Sequence, residues 1–151
     1  MSSTASSIRD WSMLAFESDY KSVVAILDEL RSGHFDEAIE GLQALSESMS
    51  LSSQREMRSH LTNLMAHVIK WKTQPNHRST SWIRSINNAR IEIGEIREAV
   101  PSITEETIEC YWEKCFAHAI KDAETEMQQD SDVVRLSWQE VFDDEYVIPR
   151  K

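Results

Sequence analysis

Glycine, proline and cysteine are scarce in this chain. Its 151 residues include three glycines, three prolines and two cysteines. So few turn-forming residues cannot supply the many hairpins of an all-β protein. Cys110 and Cys115 lie five residues apart on one predicted helix, about 140° apart around its axis, so they cannot readily bridge each other. We therefore expect a nearly all-helical chain with reduced thiols in a reducing compartment.

Long hydrophobic runs and the common catalytic motifs are also missing. No apolar stretch approaches the roughly 20 residues that span a bilayer, and the serine-rich start lacks the features of a secretory signal. The chain has no G-x-x-x-x-G-K-[ST], G-x-G-x-x-G, H-E-x-x-H, G-x-S-x-G or paired C-x-x-C motif. We expect a soluble, cytoplasmic protein that has no cofactor and no metal ligands assigned. An enzyme is the less favoured interpretation.

Two apolar stripes in the middle of the chain form its clearest pattern. Each repeats at intervals of four and three residues, which is typical of a helix with one buried face. Ser53 with Glu56 predicts a capping box at the start of the first helix, and Pro75 disfavours its continuation. The stripes are Met57, Leu61, Leu64, Val68 and Trp71, and then Trp82, Ile86, Ala89, Ile93, Ile96 and Val100.

Weaker helical patterns flank this central hairpin. The first element runs from Ile8 to about Arg31, either continuous or interrupted near Ser18, and Gly33 supplies a stopping position. A short helix from Asp36 to about Ser48 should follow. Its predicted inward residues are Ile39, Leu42 and either Leu45 or Met49.

After the hairpin, Ser102 with Glu105 predicts a second capping box and a further helix. Residues 128–132 are predicted to form a loop. The segment after this loop carries several large apolar side chains, among them Trp138 and Phe142. The sequence thus predicts an all-α fold: a compact helical bundle of four to five main helices with a docked C-terminal tail. We expect one domain over 1–151, with residues 1–7 flexible and 133–151 packed on the bundle.

Charge is distributed unevenly. The net charge is -10, yet residues 55–90 carry seven basic residues and one acidic residue, so this hairpin has +6 and the remainder -16. This surface could bind a protein partner, be neutralised by the chain's own acidic ends or a second subunit, or contact nucleic acid. The candidate partner-binding residues are Arg55, Arg58, His67, Lys70, Lys72, Arg78 and Arg84.

A polar stripe on the same predicted helix offers another interpretation. Glu56 and His60 are four residues apart and could share a divalent ion, with His67 two turns further on. His60 and His67 are roughly 10 Å apart along the helix, too far for one coordination shell. The competing interpretation is that Glu56 caps the helix and both histidines border the apolar stripe. A metal-dependent enzyme or sensor around Glu56, His60 and His67 is therefore a lesser alternative.

Several short motifs follow one another in the middle of the chain. They are Glu47-Ser48-Met49, Arg55-Glu56-Met57-Arg58-Ser59, Leu61, His67, Lys70-Trp71, Gln74-Pro75, Arg78-Ser79 and Ser81-Trp82. Together they resemble the bacterial domain-of-unknown-function family twenty-nine, and the similarity extends over most of the chain. The pattern H-x-x-K-W-x-x-Q-P is its most specific part. The sequence departs from the family at Ala44 and Leu45, where relatives often carry two glutamates, so an acidic site built from them has no support here.

The resemblance implies an all-helical fold and no established activity. Charge separation without a reaction centre favours a non-enzymatic, cytoplasmic protein-interaction or regulatory module that acts through its basic hairpin. A protein partner or a homo-oligomer is the expected form of association, without a membrane. A nucleic-acid-binding protein that uses residues 55–90 is the main alternative.

Overall fold

Helices account for nearly all of the regular structure. The computed structural model describes residues 9–150, so the predicted flexible segment 1–7 lies outside the described residues. No strand occurs within 9–150, and the predicted all-α class is confirmed. Four helices have 13 residues or more. The helices are α1 Trp11–Glu17, α2 Asp19–Arg31, α3 Phe35–Thr73, α4 Thr80–Ala99, α5 Glu105–Cys110 and α6 Trp112–Met127.

The chain divides into two compact units, one that ends at Ser52 and one that begins at Ser53. Each has its own cluster of buried apolar side chains. The expectation of a single domain over 1–151 stays a prediction. Within residues 9–150 no helix combines the length and the hydropathy needed to cross a bilayer.

Local polar groups set the helix ends in the first unit. The Asp10 carboxylate accepts a hydrogen bond from the Met13 N–H at 3.0 Å and caps α1. Ser18 has extended backbone, and its hydroxyl accepts from the Lys21 N–H at 3.1 Å, so it ends α1 and caps α2. The interruption near Ser18 is therefore present. Gly33, at φ +78°, follows α2 in the left-handed conformation that glycine adopts at little cost.

The core of the first unit is small and tightly packed. It consists of Trp11, Ala25, Ile26, Ala38 and Leu45. Gly41 lies beneath two of these side chains: a Cβ atom there would be 2.7 Å from Ile26 Cγ1 and 2.8 Å from the Trp11 ring. Only a residue without a side chain permits this approach.

The predicted inward face of the segment 36–48 is partly wrong. Leu45 is buried, but the alternative Met49 is 52% exposed, and Ile39 and Leu42 are each 51% exposed. The smaller residues Ala38 and Gly41 occupy the packed face instead, because small side chains allow neighbouring helices to approach closely. Spacing alone identified an apolar stripe but did not show whether anything covers it.

The predicted break between Ser48 and Ser53 is also wrong, since α3 continues for 39 residues. The capping box of Ser53 and Glu56 consequently does not form. No glycine or proline lies in this stretch, and a serine inside a helix costs only about 0.5 kcal/mol relative to alanine. Serine is a strong cap when a helix starts, but it does not by itself start one.

In the second unit, α3 ends at Thr73, as Pro75 predicted, and a 3₁₀ turn over Pro75–His77 follows. The Ser79 hydroxyl caps α4 by accepting from the Trp82 N–H at 3.3 Å. The second predicted capping box is wrong, because Thr104 and Thr107 form it in place of Ser102 and Glu105. Threonine two residues later offers the same chemistry, so the sequence did not distinguish the two registers.

Both predicted central stripes lie in the core of the second unit. Met57, Leu61, Leu64, Val68, Ile86 and Ile93 are fully or almost fully buried, together with Ile108, Cys115 and Ala119 from α5 and α6. The Tyr111 backbone separates α5 from α6. After α6, Gln128 adopts the left-handed conformation at φ 55° and begins the predicted loop.

The C-terminal tail docks on this core, as predicted. Leu136 and Val141 are buried, and a π-helical turn spans Gln139–Asp143. Trp138 packs on Trp112 with ring centroids 5.7 Å apart and on Phe142 at 4.4 Å. The Trp112 indole N–H donates to the Leu136 carbonyl at 3.1 Å, which attaches the tail to α6.

Substitution of Gly41 by alanine tests the close packing of the first unit. Gly41→Ala should destabilise the protein by about 1–3 kcal/mol through overpacking, although alanine improves helix propensity by about 1 kcal/mol. Gly94 is the matched control, because a Cβ atom there would meet nothing within 4 Å. Gly94→Ala should be stabilising, and urea unfolding followed by circular dichroism measures both. Equal stabilisation by the two substitutions would contradict the packing described.

Candidate functional site

Several basic residues of the predicted binding surface form internal ion pairs. Lys70 is 8% exposed, and its ammonium group pairs with Glu126 of α6. Lys72 pairs with Glu140 of the tail. Arg55 and Arg84 are exposed, and neither forms an ion pair with a residue between 9 and 150. The acidic second half of the chain thus neutralises part of the hairpin, in line with one of the alternatives from the sequence.

Two arginines of the set lie on aromatic rings. The Arg78 guanidinium lies 4.7 Å from the Trp71 ring centroid, and its Nε donates to the Trp71 carbonyl at 2.9 Å. Arg58 lies 4.7 Å from the ring of Tyr111, the residue between α5 and α6. These contacts hold α3 against its neighbours. They also reduce the freedom of both side chains to bind an external anion.

Arg90 has a structural role that was not predicted from the sequence. Its Nε donates to the Val141 carbonyl at 2.8 Å and its Nη2 to the Glu140 carbonyl at 3.3 Å. The Tyr146 hydroxyl donates to the same Glu140 carbonyl at 2.6 Å. Burial lowers the pKa of Arg90, although Asp143 and Asp144 act in the opposite direction. Burial, reinforced by Asp144, raises the pKa of Tyr146 to about 12.

His67 is half-buried on α3. Its Nδ1 lies 2.9 Å from the Asn63 carbonyl oxygen. A carbonyl can only accept, so Nδ1 carries the proton and Nε2 is left as an acceptor. Burial lowers the pKa of His67, and Lys70 lowers it further, while the Asn63 carbonyl and Glu126 oppose the shift. The imidazole is therefore neutral at pH 7.

Cys115 is buried, as predicted, and does not have the properties of a nucleophile. Its thiol donates to the Arg58 carbonyl at 3.7 Å. Burial raises the pKa of this thiol, which leaves it protonated at neutral pH. Cys110 is exposed, and both cysteines are free.

The residues that could bind a metal ion differ in one member from those of the sequence hypothesis. Glu56 Oε1 and His60 Nε2 on α3 are 4.0 Å apart. Glu92 of α4 joins them, and one donor atom from each residue lies within 4.8 Å of the other two. His67 is not part of this group. Sequence spacing suggested the Glu56 and His60 pair, but Glu92 could not be found without knowing how α4 packs on α3.

The first unit exposes an unusual number of large apolar side chains, which we call the apolar surface. Phe16 and Tyr20 are the most exposed, at 79% and 78%. Of the 16 exposed large hydrophobic residues within 9–150, twelve belong to this surface, so it is a local concentration and not a general feature. Its members are Met13, Phe16, Tyr20, Val23, Val24, Leu27, Leu30, Phe35, Ile39, Leu42, Met49 and Leu51.

His67 should make the stability of the protein depend on pH. Its folded-state pKa is lowered, so the unfolded chain binds the proton more readily, and stability should fall as the pH drops through about 6.5 and below. In His67→Gln this loss should be smaller between pH 7.5 and 5.5, as measured by urea unfolding. His77→Gln, at an exposed histidine, serves as the control. An unchanged pH dependence in His67→Gln would show that burial of this imidazole is not responsible.

Comparison with known proteins identifies a family for this chain. The family model described as "Domain of unknown function DUF29" matches residues 16–147. Neither a curated protein nor a solved structure shows significant similarity to the chain. The matched range contains the motifs on which the sequence resemblance was based, from Glu47 to Trp82. It covers residues 16–52 of the first unit and residues 53–147 of the second. The chain therefore belongs to the DUF29 family.

Proposed function

We propose that this chain is a non-enzymatic protein-interaction module that self-associates through the apolar surface of its first unit. The observation that carries the proposal is the concentration of twelve exposed large apolar side chains within residues 9–52. Contact of this much apolar surface with water is unfavourable, so burial of the surface against a partner stabilises the complex. The basic hairpin is a weaker candidate, since Lys70, Lys72 and Arg78 are engaged internally.

The amount of exposed apolar area is sufficient for a stable dimer. Each of the three aromatic members offers about 150–250 Å² when fully exposed. With all twelve side chains 40–79% exposed, the set presents on the order of 1,000 Å². A standard protein interface buries about 800 Å² on each partner. The largest apolar patch of an ordinary monomer is about 300–600 Å².

The small core of the first unit gives a second reason for association. Within residues 9–52, six apolar residues are buried, and three of them are alanines. The first unit ends at Ser52, and domains of about 60 residues or fewer are only marginally stable on their own. Both cysteines lie outside this unit. Pairing with another molecule would supply the missing burial.

The spacing of the α3 side chains favours a second copy of this chain as the partner. Phe35, Ile39, Leu42 and Met49 follow the a and d positions of a heptad repeat, with Ser46 at the remaining position. On α2, Tyr20, Val24 and Leu27 repeat the spacing of four and three. Two such stripes from each of two molecules make a four-helix interface about a two-fold axis.

A cytoplasmic location is part of the proposal. Cys110 is exposed and unpaired, and Cys115 is unpaired and buried. Free thiols of this kind are typical of reducing compartments.

The oligomeric state of the full chain tests the proposal. Size-exclusion chromatography with light scattering at about 50 μM should give a dimer for the wild type. Leu42→Glu places a charge on the apolar surface, so the dissociation constant should rise at least 100-fold, about 2.7 kcal/mol. Ile91→Glu is the matched control, because Ile91 is 57% exposed on α4 in the second unit. A monomeric wild type, or equal dissociation of both variants, would overturn self-association through this surface.

The dependence on salt concentration distinguishes self-association from nucleic-acid binding. Each copy carries -10, so added salt screens the repulsion between two copies and should strengthen the dimer. Binding of nucleic acid by Arg55, Arg84 and neighbouring basic residues would instead weaken steeply with salt. Light scattering and a fluorescence titration with a labelled oligonucleotide, each at 50 and 500 mM NaCl, distinguish the two.

A further inference from the structure

We infer that Glu56, His60 and Glu92 bind a divalent transition-metal ion, for which Zn²⁺ is the best match. These residues lie in the second unit, so the inference does not depend on the apolar surface or on self-association. It goes beyond the proposed function because it assigns an inorganic ligand to a site between α3 and α4.

Two helices bring three donor atoms together. Glu56 and His60 are one helical turn apart on α3, with Oε1 and Nε2 4.0 Å apart. Glu92 reaches the same place from α4, and all three donor atoms lie within 4.8 Å of one another. Zinc binds such atoms at about 2.0–2.2 Å, so its ligands are roughly 3–3.5 Å apart. Side-chain movements of about 1 Å would close the gap.

The side chains are able to make this adjustment. The Glu56 side chain is 61% exposed, which leaves its carboxylate room to move, while the His60 side chain is 31% exposed and more confined. An ordered imidazole and two adaptable carboxylates suit a metal that selects its own geometry, as zinc does. Since α3 and α4 already pack through their buried stripes, ion binding needs no change in the backbone.

The local charges favour a cation. In the part of the chain that the structure describes, neither Glu56 nor Glu92 pairs with a lysine or an arginine. Among residues 9–150, Glu56 has only His60 as its ionic partner, and Glu92 has none. Two carboxylates that converge without a counter-charge repel each other, and a divalent ion between them relieves this repulsion.

The donor set selects the kind of metal. Imidazole nitrogen suits zinc, copper, iron and nickel, whereas magnesium and calcium prefer sites made of oxygen alone. One nitrogen and two carboxylate oxygens therefore fit Zn²⁺ better than Mg²⁺. Three protein ligands leave at least one position for water, which is the arrangement of an open site and not of a closed structural one.

A bound ion would also link two helices. Ligands from α3 and α4 are both needed, so the ion should stabilise the folded chain more than the unfolded one and raise the unfolding temperature. A simple ionic contact between Glu56 and His60 on one helix does not require Glu92. The effect of Glu92 on binding therefore distinguishes a metal site from a helix surface pair.

Isothermal titration of the untagged full chain with ZnCl₂ tests the inference. We expect one equivalent to bind and the melting temperature to rise on saturation, with MgCl₂ producing neither effect. Glu92→Gln and His60→Gln should each weaken Zn²⁺ binding at least tenfold and remove most of the shift in melting temperature. Glu92 is exposed, so its substitution leaves the core intact and decides the question even where His60→Gln perturbs folding.

Two control variants exclude adventitious binding to surface groups. Glu98→Gln removes another exposed carboxylate of α4, and His77→Gln removes an exposed imidazole after α3. Both should bind Zn²⁺ as the wild type does. The absence of Zn²⁺ binding in the wild type, or equal weakening by the control and the site variants, would overturn the inference.

Discussion

Burial of the α3 stripe from Met57 to Val68 is the interaction on which the second unit depends. Met57, Leu61, Leu64 and Val68 have no solvent exposure, and they belong to one buried cluster with residues of α4, α5, α6 and the tail. Complete burial of one such side chain contributes about 1.5–3 kcal/mol. The helix that carries this stripe also places Glu56, His60 and His67 on its sides. The positions of the polar groups are therefore fixed by the apolar ones.

Electrostatic contacts complete this arrangement at its border. Lys70, Lys72 and Arg90 extend from the central hairpin, and carboxylates or carbonyls from α6 and the tail meet them. Part of the positive charge of the hairpin is therefore neutralised within the second unit, by Glu126 of α6 and Glu140 of the tail. A charge pattern in a sequence does not by itself identify an external ligand, because the chain can be its own partner.

Most of the structure of the second unit could be predicted from the sequence. The stripes on α3 and α4, the end of α3 before Pro75 and the apolar tail were predictable, because periodicity and proline act locally. The continuity of α3 through Ser53 was not, since a serine can cap a helix or lie within one. Glu92 could not be assigned to the candidate metal site, because its neighbours lie on another helix. In the first unit, the stripe of Ile39 and Leu42 was visible, but its exposure depends on the small residues that pack beside it.

The position of the tail determines when the second unit can complete its core during synthesis. The second unit cannot close its core before Val141 and Tyr146 have been synthesised, whereas the first unit is complete at Ser52. At about 5–20 residues per second, the intervening stretch of about 94 residues takes roughly 5–20 s. During this interval the nascent chain presents the first unit without a finished second one.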